Sequence, residues 1–354
     1  MSKIISVGTA QVPFEFDQNE VKNFARALFS KNGDNIERIL GVFDNSMIDS
    51  RRFVHPREWF ESDKNFKERS ESYLSNSISL SKSAINDCLN GYNGDIGDFD
   101  HIIFVSSTGL ACPSIDALLV NELRLDTHVK RTPIWGLGCA GGAAGLSRAL
   151  EYTKAYPESA VMLVALEICS LAFHGEDYSK SNIVSLALFS DGAAAVIVAG
   201  KENKLYESSK LKLIESLSTT YYNSLDVMGW EILSDGFKAI FSKDIPSIVR
   251  DKVRSNIEEL LTDYSLSVSD LKHYVVHPGG PKVLNEYESS LGLKEGTFRH
   301  ARKVLREHGN MSSPTVLYVL KEFLQEQNYS EEDYGIISAL GPGFSSELIL
   351  FTIE

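Results

Sequence analysis

Short, nearly continuous runs of β-branched and other apolar residues alternate along the chain with longer stretches of helical periodicity. Such runs are typical of strands that are buried on both faces of a sheet. The predicted strands cover residues 4–7, 102–105, 161–165, 194–198, 274–276, 336–338 and 348–351. The predicted amphipathic helices cover residues 18–30, 66–90, 139–156, 246–263, 280–292 and 312–327. This alternation predicts an α/β fold.

A polar stretch rich in lysine, glutamate and serine at 201–210 separates two parts with similar strand and helix content. We therefore predict a division into residues 1–205 and residues 206–354. The similar content suggests an internal duplication, although the two parts show no obvious sequence repeat.

Charge and composition exclude several classes of function. The chain has 354 residues and a net charge of -13, which argues against a general nucleic-acid or anionic-membrane surface. No apolar run approaches the roughly 20 residues of a membrane span. The first residues are too short and too strand-like for a signal peptide, so we expect a cytoplasmic protein. The four cysteines form no C-x-x-C pair, so neither a zinc site nor another metal site is predicted.

The most informative local feature is the turn at Cys139. A glycine-punctuated apolar segment ends at this residue, and residues 140–145 are all alanine or glycine. A helical pattern follows, and the start of a helix places partial positive charge beside the sulfur, which favours thiolate. The small residues let other backbone approach closely. The pattern therefore indicates a nucleophile rather than a structural cysteine.

Two other element ends carry polar residues suited to the same chemistry. His277 follows an apolar strand and precedes a Pro-Gly-Gly-Pro turn, and Asn310 precedes a helix start rich in small residues. Each residue alone has an ordinary structural explanation, such as a satisfied core histidine or a helix cap. Together they form a set in which imidazole activates a thiol and the histidine and amide N–H groups stabilise an oxyanion. This set favours acyl transfer through Cys139.

The motifs, in their order along the chain, resemble those of type III polyketide synthases, the chalcone-synthase-like branch of the thiolase superfamily. The motifs are Ser106-Ser107-Thr108-Gly109, Gly138-Cys139-Ala140-Gly141-Gly142, Leu188-Phe189-Ser190-Asp191-Gly192, His277-Pro278-Gly279-Gly280-Pro281, Gly309-Asn310-Met311-Ser312-Ser313 and Gly341-Pro342-Gly343. The segment around Cys139 is similar to that of bacterial members. The resemblance implies a five-layered αβαβα thiolase-like fold with two pseudo-duplicated halves, and a homodimer.

The resemblance also implies roles for individual residues. It gives Cys139 as nucleophile with His277 and Asn310 as partners, acyl-CoA and malonyl-CoA as substrates, and no further cofactor. Residues expected at the substrate cavity are Ser107, Thr108, Phe173, Gly341, Pro342 and Gly343, with Phe173 at the position of the family's gatekeeper aromatic. Cys112 corresponds to a residue that contacts the partner subunit. Candidates for coenzyme A binding are Arg38, Gly279, Arg51 and Arg52. Gly41 and Asn45 stand where plant members carry basic residues, and Arg51 and Arg52 would compensate for that loss of positive charge.

The sequence restricts the identity of the substrate less than it restricts the family. A small residue near Ala239 replaces a cavity phenylalanine of plant enzymes, which favours a long fatty acyl starter and alkylpyrone or alkylresorcinol products. Some bacterial relatives instead join malonyl units alone. A thiolase is disfavoured because no cysteine follows Cys169. The alternatives are an initiating ketoacyl synthase that depends on an acyl carrier protein, and a non-catalytic acyl-binding partner with the thiolase fold.

Overall fold

A computed structural model describes residues 1–29, 36–62, 64–92, 96–242 and 244–354. The strands in these ranges are β1 (Ser2–Thr9), β2 (Phe14–Asp17), β3 (Ser50–Phe53), β4 (His101–Val105), β5 (Lys130–Ile134), β6 (Ala160–Ile168), β7 (Asp191–Gly200), β8 (Leu211–Thr220), β9 (Met228–Ile232), β10 (Phe237–Phe241), β11 (Leu271–Val276), β12 (Tyr334–Gly341) and β13 (Ser345–Ile353). The helices are α1 (Gln18–Phe29), α2 (Ile36–Asp44), α3 (Phe66–Asn90), α4 (Ile115–Leu123), α5 (Gly141–Ala155), α6 (Lys180–Leu188), α7 (Ile245–Thr262), α8 (Pro281–Leu291), α9 (Arg299–His308) and α10 (Thr315–Glu326).

The main sheet consists of two strand sets with the same internal order. Its order is β11-β12-β13-β8-β1-β7-β6-β4-β5. In the first part, β1 and β7 are antiparallel, β7 and β6 are antiparallel, and β6 and β4 are parallel. The second part repeats this sequence of pairings with β8, β13, β12 and β11. The predicted pseudo-duplication is therefore confirmed, and the proposed boundary at 205/206 lies in the connection between β7 and β8.

Helices cover both faces of the two strand sets and fill the space between them. Helix α3 packs on β1, β6 and β7, and α7 packs on β8 and β13. Helices α5 and α10 contact each other, and both also contact strands of the first and the second set. The order is thus α3 and α4, first strand set, α5 and α10, second strand set, α7 and α8. This is the five-layered thiolase-like arrangement that the family resemblance implies.

The small residues after Cys139 allow α5 to lie in the central layer. A Cβ on Gly141 would lie 2.6 Å from Val105 Cγ1, and one on Gly145 would lie 2.5 Å from Leu163 Cδ1. A Cβ on Gly142 would overlap the Ser313 carbonyl oxygen, at the start of the second central helix. The close backbone approach predicted for residues 140–145 is confirmed, and it brings the Cys139 and Asn310 segments together.

Most predicted elements are present with small changes in their ends. The predicted helix 66–90 matches α3, whereas the one at 139–156 begins only at Gly141 because a turn of 3-10 helix precedes it. The pattern did not predict β5, which is a polar edge strand containing a proline, or β8. Among the described residues, no helix has both the length and the apolar character needed to cross a membrane.

Candidate active site

Cys139 lies in the single turn of 3-10 helix that leads into α5. Its side chain is buried. Ser107, two residues after the end of β4, holds this turn, since its Oγ accepts hydrogen bonds from the backbone N–H groups of Gly136 (3.2 Å) and Gly138 (3.0 Å). Gly138 has a φ of 45°, in the left-handed region that glycine adopts without strain. The turn therefore has one defined shape that fixes where the sulfur lies.

The predicted segment Gly341–Pro342–Gly343 packs directly against the Cys139 turn. A Cβ on Gly341 would lie 2.7 Å from the Ala140 backbone nitrogen, and one on Gly138 would lie 2.8 Å from Pro342 Cδ. The end of β12 is thus in contact with the backbone around Cys139, and this contact joins the two halves of the molecule at the candidate site.

Asn310 is fixed by its backbone and by its side chain. Its N–H donates to the Leu188 carbonyl (2.9 Å), and its carbonyl accepts from the Ser190 N–H (2.9 Å). Its Oδ1 accepts from the Ser312 N–H at 2.8 Å, which sets the orientation of the amide. The NH₂ group is left to donate, and a hydrogen bond from the Asn310 side chain opposes the rise in the Cys139 pKa. Asn310 therefore presents a hydrogen-bond donor at the thiol.

His277 follows directly after β11, and its N–H donates to the Ser338 carbonyl at 2.8 Å. The side chain is buried, and neither ring nitrogen has a hydrogen-bond partner among the described residues. Burial lowers the pKa of His277 to about 3. A buried imidazole with two unpartnered nitrogens destabilises the folded protein. Such an arrangement is typical of an active site, where a bound substrate or a reacting group supplies the missing hydrogen bonds.

The resting thiol differs from the sequence-based expectation. Burial raises the pKa of Cys139 to about 11, although hydrogen bonds from Ser312 and Asn310 oppose this rise. The prediction that the helix start favours thiolate is therefore wrong for the free protein, since loss of water outweighs the peptide dipoles. In the free protein the raised pKa of Cys139 favours the thiol, and the lowered pKa of His277 favours the neutral imidazole.

Glu167 is a buried carboxyl that the sequence analysis did not identify. It lies near the end of β6 and accepts from the Ser107 N–H (2.9 Å) and the Ser313 hydroxyl (2.8 Å). It thereby connects Ser107, which holds the Cys139 turn, with the segment that carries Asn310. Burial raises the pKa of Glu167 to about 7 in spite of these hydrogen bonds. The available signal was a glutamate within the apolar run Val161–Ile168.

We expect Glu167→Gln to reduce the pH dependence of stability. A carboxyl whose pKa is raised on folding stabilises the folded state least when it is ionised, so wild-type stability falls as the pH rises from about 5 to 8. A rise from 4.5 to about 7 corresponds to about 3 kcal/mol of unfolding free energy. Urea unfolding at pH 5 and pH 8 measures this difference, which the amide variant should lack. Glu71→Gln, at an exposed glutamate, is the control and should keep the wild-type dependence.

A cavity of about 460 Å³ lies beside this centre. Much of its wall is aromatic, from Phe16, Phe24, Phe53, Phe60, Phe173 and Phe189. Cys169 also lines it, and Cys139 lies near enough to Cys169 to contribute to the raised pKa of that second thiol. Phe173 and Ala239 line this cavity, whose size suits a small-molecule ligand, and their contact with substrate stays a prediction.

Phe189 is a second residue that the sequence analysis did not assign. It pairs through its backbone with Asn310, lines the cavity and packs on Phe241 with 5.4 Å between ring centroids. Phe189 is therefore a cavity residue whose backbone is paired with that of Asn310. The motif containing it was noted in the sequence, but the gatekeeper role was given to Phe173.

Ser107 and Thr108 have supporting positions instead of lining this cavity. Both are buried, and Thr108 Oγ1 accepts from the Ile168 N–H at 2.8 Å. They organise the backbone around Cys139 and Glu167. Cys112 is exposed, so its predicted contact with a partner subunit stays a prediction.

The four candidates for coenzyme A binding do not form one cluster. Arg38 is exposed on α2, and Gly279 is half-buried just after His277. Arg51 and Arg52 are neighbours on β3, so their side chains point to opposite faces. Arg51 is fully buried and cannot reach a phosphate in solvent, so that prediction is wrong. Arg52 forms an ion pair with Glu15 (2.8 Å) and donates to the Glu307 carbonyl (3.1 Å).

Comparison with known proteins gives a consistent result over the whole chain. The N-terminal domain of the chalcone and stilbene synthases matches residues 2–202, and their C-terminal domain matches residues 213–353. A Bacillus subtilis (strain 168) protein named after chalcone synthase is 43% identical over 100% of this chain and 99% of its own length. The 1,3,6,8-tetrahydroxynaphthalene synthase of Streptomyces peucetius subsp. caesius is 30% identical over 99% of this chain and 92% of its own.

Solved structures show the same similarity. The crystal structure of 1,3,6,8-tetrahydroxynaphthalene synthase from Streptomyces coelicolor A3(2), a bacterial type III polyketide synthase, matches with a TM-score of 0.91. The match covers 99% of both chains at 27% identity. Among the residues that the structure describes, no group of three or more histidine, cysteine, aspartate or glutamate side chains could hold a metal ion.

Proposed function

Because this chain belongs to the chalcone and stilbene synthase family, we propose that it loads a long-chain fatty acyl group from acyl-CoA onto Cys139 and extends it with malonyl-CoA. The protein is a type III polyketide synthase, an acyltransferase-type condensing enzyme. Its substrates are coenzyme A thioesters, and the reaction needs no further cofactor. The products that we propose are alkylpyrones or alkylresorcinols.

Loading begins from the neutral thiol and imidazole. Cys139 Sγ attacks the starter thioester carbon as its proton passes to His277, and the coenzyme A thiolate leaves with that proton. The neutral imidazole of the free protein can accept a proton, whereas an imidazolium could not. The acyl group is now held on Cys139 as a thioester, which keeps its reactivity for the next step.

Extension uses the same groups as hydrogen-bond donors. Malonyl-CoA loses carbon dioxide, and the electron pair of the broken C–C bond forms an enolate with negative charge on the thioester oxygen. The Asn310 NH₂ and a His277 N–H donate to this oxygen as a preorganised oxyanion site. The enolate carbon then attacks the Cys139 thioester, so the chain grows by two carbons and Cys139 is freed. An amide suits this role because a carboxylate would repel both the malonyl group and the enolate.

The apolar cavity is the observation that carries the long-chain proposal. Its volume of about 460 Å³ lies in the range of small-molecule sites, and aromatic and aliphatic side chains form most of its surface. Such a wall stabilises a methylene chain by roughly 0.8 kcal/mol for each buried CH₂ group. Ala239 lies on the hairpin of β9 and β10, opposite Trp230, and its small side chain leaves this space open.

We expect Ala239→Phe to shift the preference from long to short starters. The added ring would occupy part of the cavity, and excluding three methylenes corresponds to a loss of at least about tenfold in kcat/KM. The measurement compares palmitoyl-CoA with hexanoyl-CoA as starters, each with malonyl-CoA, and identifies the products by mass spectrometry. The hexanoyl reaction should change little.

Ile240→Phe is the matched control, because Ile240 is the next residue of the same strand, points to the other face and is 38% exposed. It should keep the wild-type preference. An equal shift in both variants would contradict the location of the acyl chain. Products from malonyl-CoA alone, or only with aromatic starters, would contradict the long-chain starter itself.

We also propose a cytoplasmic homodimer. The edge strand β5 is the last strand of the sheet on its side, and the exposed residue Trp135 follows it directly. Cys112 is also exposed. An open strand edge with exposed neighbours is a common place for pairing between subunits.

A further inference from the structure

Arg51 is a fully buried arginine at the end of helix α6. Its side chain comes from β3, and its Nη1 donates to the carbonyls of Leu186 and Phe189, the latter at 3.1 Å. These carbonyls belong to the last turn of α6 and the residue after it. A cation that satisfies the free carbonyls at a helix C-terminus stabilises that end of the helix.

The same arginine packs against the segment that carries Asn310. A Cβ on Gly309 would lie 2.8 Å from Arg51 Cγ and 3.0 Å from Cδ, so the glycine leaves room for the arginine stem. The following residue, Asn310, exchanges backbone hydrogen bonds with Leu188 and Ser190. Arg51 therefore contacts both the end of α6 and Gly309, the two segments whose backbones are hydrogen-bonded to each other at Asn310.

We propose that Arg51 is a positioning residue for Asn310, acting by fixing the end of α6 and thereby the direction of the Asn310 amide. The inference rests on the proposed function, because it concerns the decarboxylation step that Asn310 would serve. Arg51 does not touch the substrate cavity, so its effect passes through the Leu188–Ser190 backbone.

The environment of Arg51 explains why a smaller or uncharged residue would not serve equally. The guanidinium carbon lies 5.5 Å from the centroid of the Phe53 ring and 5.9 Å from that of Phe43. Its Nε and Nη2 have no hydrogen-bond partner among the described residues. Burial lowers the pKa of Arg51 to about 9, against the opposing charge of Asp191. A buried charge with unused donors is costly. Both hydrogen bonds use Nη1, which lies one bond further along the side chain than a lysine Nζ, so a lysine keeps the charge but does not reach the two carbonyls in the same way.

The test separates starter loading from decarboxylation in Arg51→Lys and Arg51→Met. We expect kcat for malonyl-CoA decarboxylation to fall at least about tenfold in both variants, with KM for malonyl-CoA within about twofold of wild type. Single-turnover acylation of Cys139 should stay within about threefold. Arg302→Lys alters another arginine with little exposure, which pairs with Glu288 at 2.7 Å on the far side of α9, and should leave both steps unchanged.

A double-mutant cycle with Asn310→Ala supplies the decisive comparison. If Arg51 acts through Asn310, Arg51→Lys has no further effect on decarboxylation once the amide is absent. Additive losses, or equal losses in loading and decarboxylation, would overturn the inference. If the Arg51→Met variant does not fold, the Arg51→Lys variant still allows the test. A wild-type protein without decarboxylase activity would instead contradict the proposed function.

Discussion

Cys139→Ala should abolish chain extension while part of the malonyl-CoA decarboxylation remains. Without the sulfur no acyl-enzyme forms, so we expect extension to fall by at least about a thousandfold, as when other enzymes lose a catalytic nucleophile. Decarboxylation requires the oxyanion donors Asn310 and His277, and neither is removed. Mass spectrometry of the products, together with carbon dioxide release, measures the two steps separately.

Cys88→Ala is the control for loss of a thiol. Cys88 is also buried, but it lies on α3 in the outer layer. It should keep both activities. Normal polyketide formation by the Cys139 variant would remove the central residue from the proposed mechanism, and loss of both activities would show that the substitution disturbs the oxyanion site as well.

Asn310→Ala should impair decarboxylation more than starter loading. Removing one donor from a preorganised oxyanion site costs on the order of 3 kcal/mol in the transition state, which is a loss of roughly a hundredfold or more. Loading depends mainly on Cys139 and His277 and should fall less. Carbon dioxide release from malonyl-CoA and single-turnover acylation of Cys139 provide the comparison.

Asn310→Asp is a closely matched second variant. An aspartate can still accept from the Ser312 N–H, so it keeps the turn that the structure shows, but it cannot donate to the enolate oxygen. We expect it to be at least as slow as the alanine variant in decarboxylation. Retained activity in the aspartate variant, or equal losses in loading and decarboxylation, would contradict the role given to the amide.

The sequence predicts the fold well wherever the signal is local. The buried strands and the central helices carry their own apolar patterns, and the small residues at 140–145 indicate close packing before any partner is known. The edge strand β5 has no such pattern, because one of its edges lacks a neighbouring strand and its residues are partly exposed.

The candidate site is predictable as a set of residue types but not in its electrostatics. Cys139, His277 and Asn310 each stand at a glycine-flanked element end, which is visible in the sequence. The raised pKa of Cys139 results from enclosure by segments distant along the chain, so the helix start alone gave the opposite direction. The prediction that Arg51 binds coenzyme A was wrong for the same reason. Nothing near Arg51 in the sequence shows that α6 and the Asn310 segment cover it.

The repeated strand order means that the proposed catalytic residues lie at corresponding positions of the two halves. When the two halves are superimposed by their strand order, β4 matches β11 and α5 matches α10. The segment before α5, which contains Cys139, therefore corresponds to the segment before α10, which contains Asn310. Ser106, just after β4, corresponds to His277, just after β11. The two halves thus place residues at matching positions around a shared centre. In the proposed mechanism, one half would supply the nucleophile and the other the proton acceptor and the amide. An asymmetric reaction would then be carried out on a nearly symmetric frame, with neither half containing a complete site.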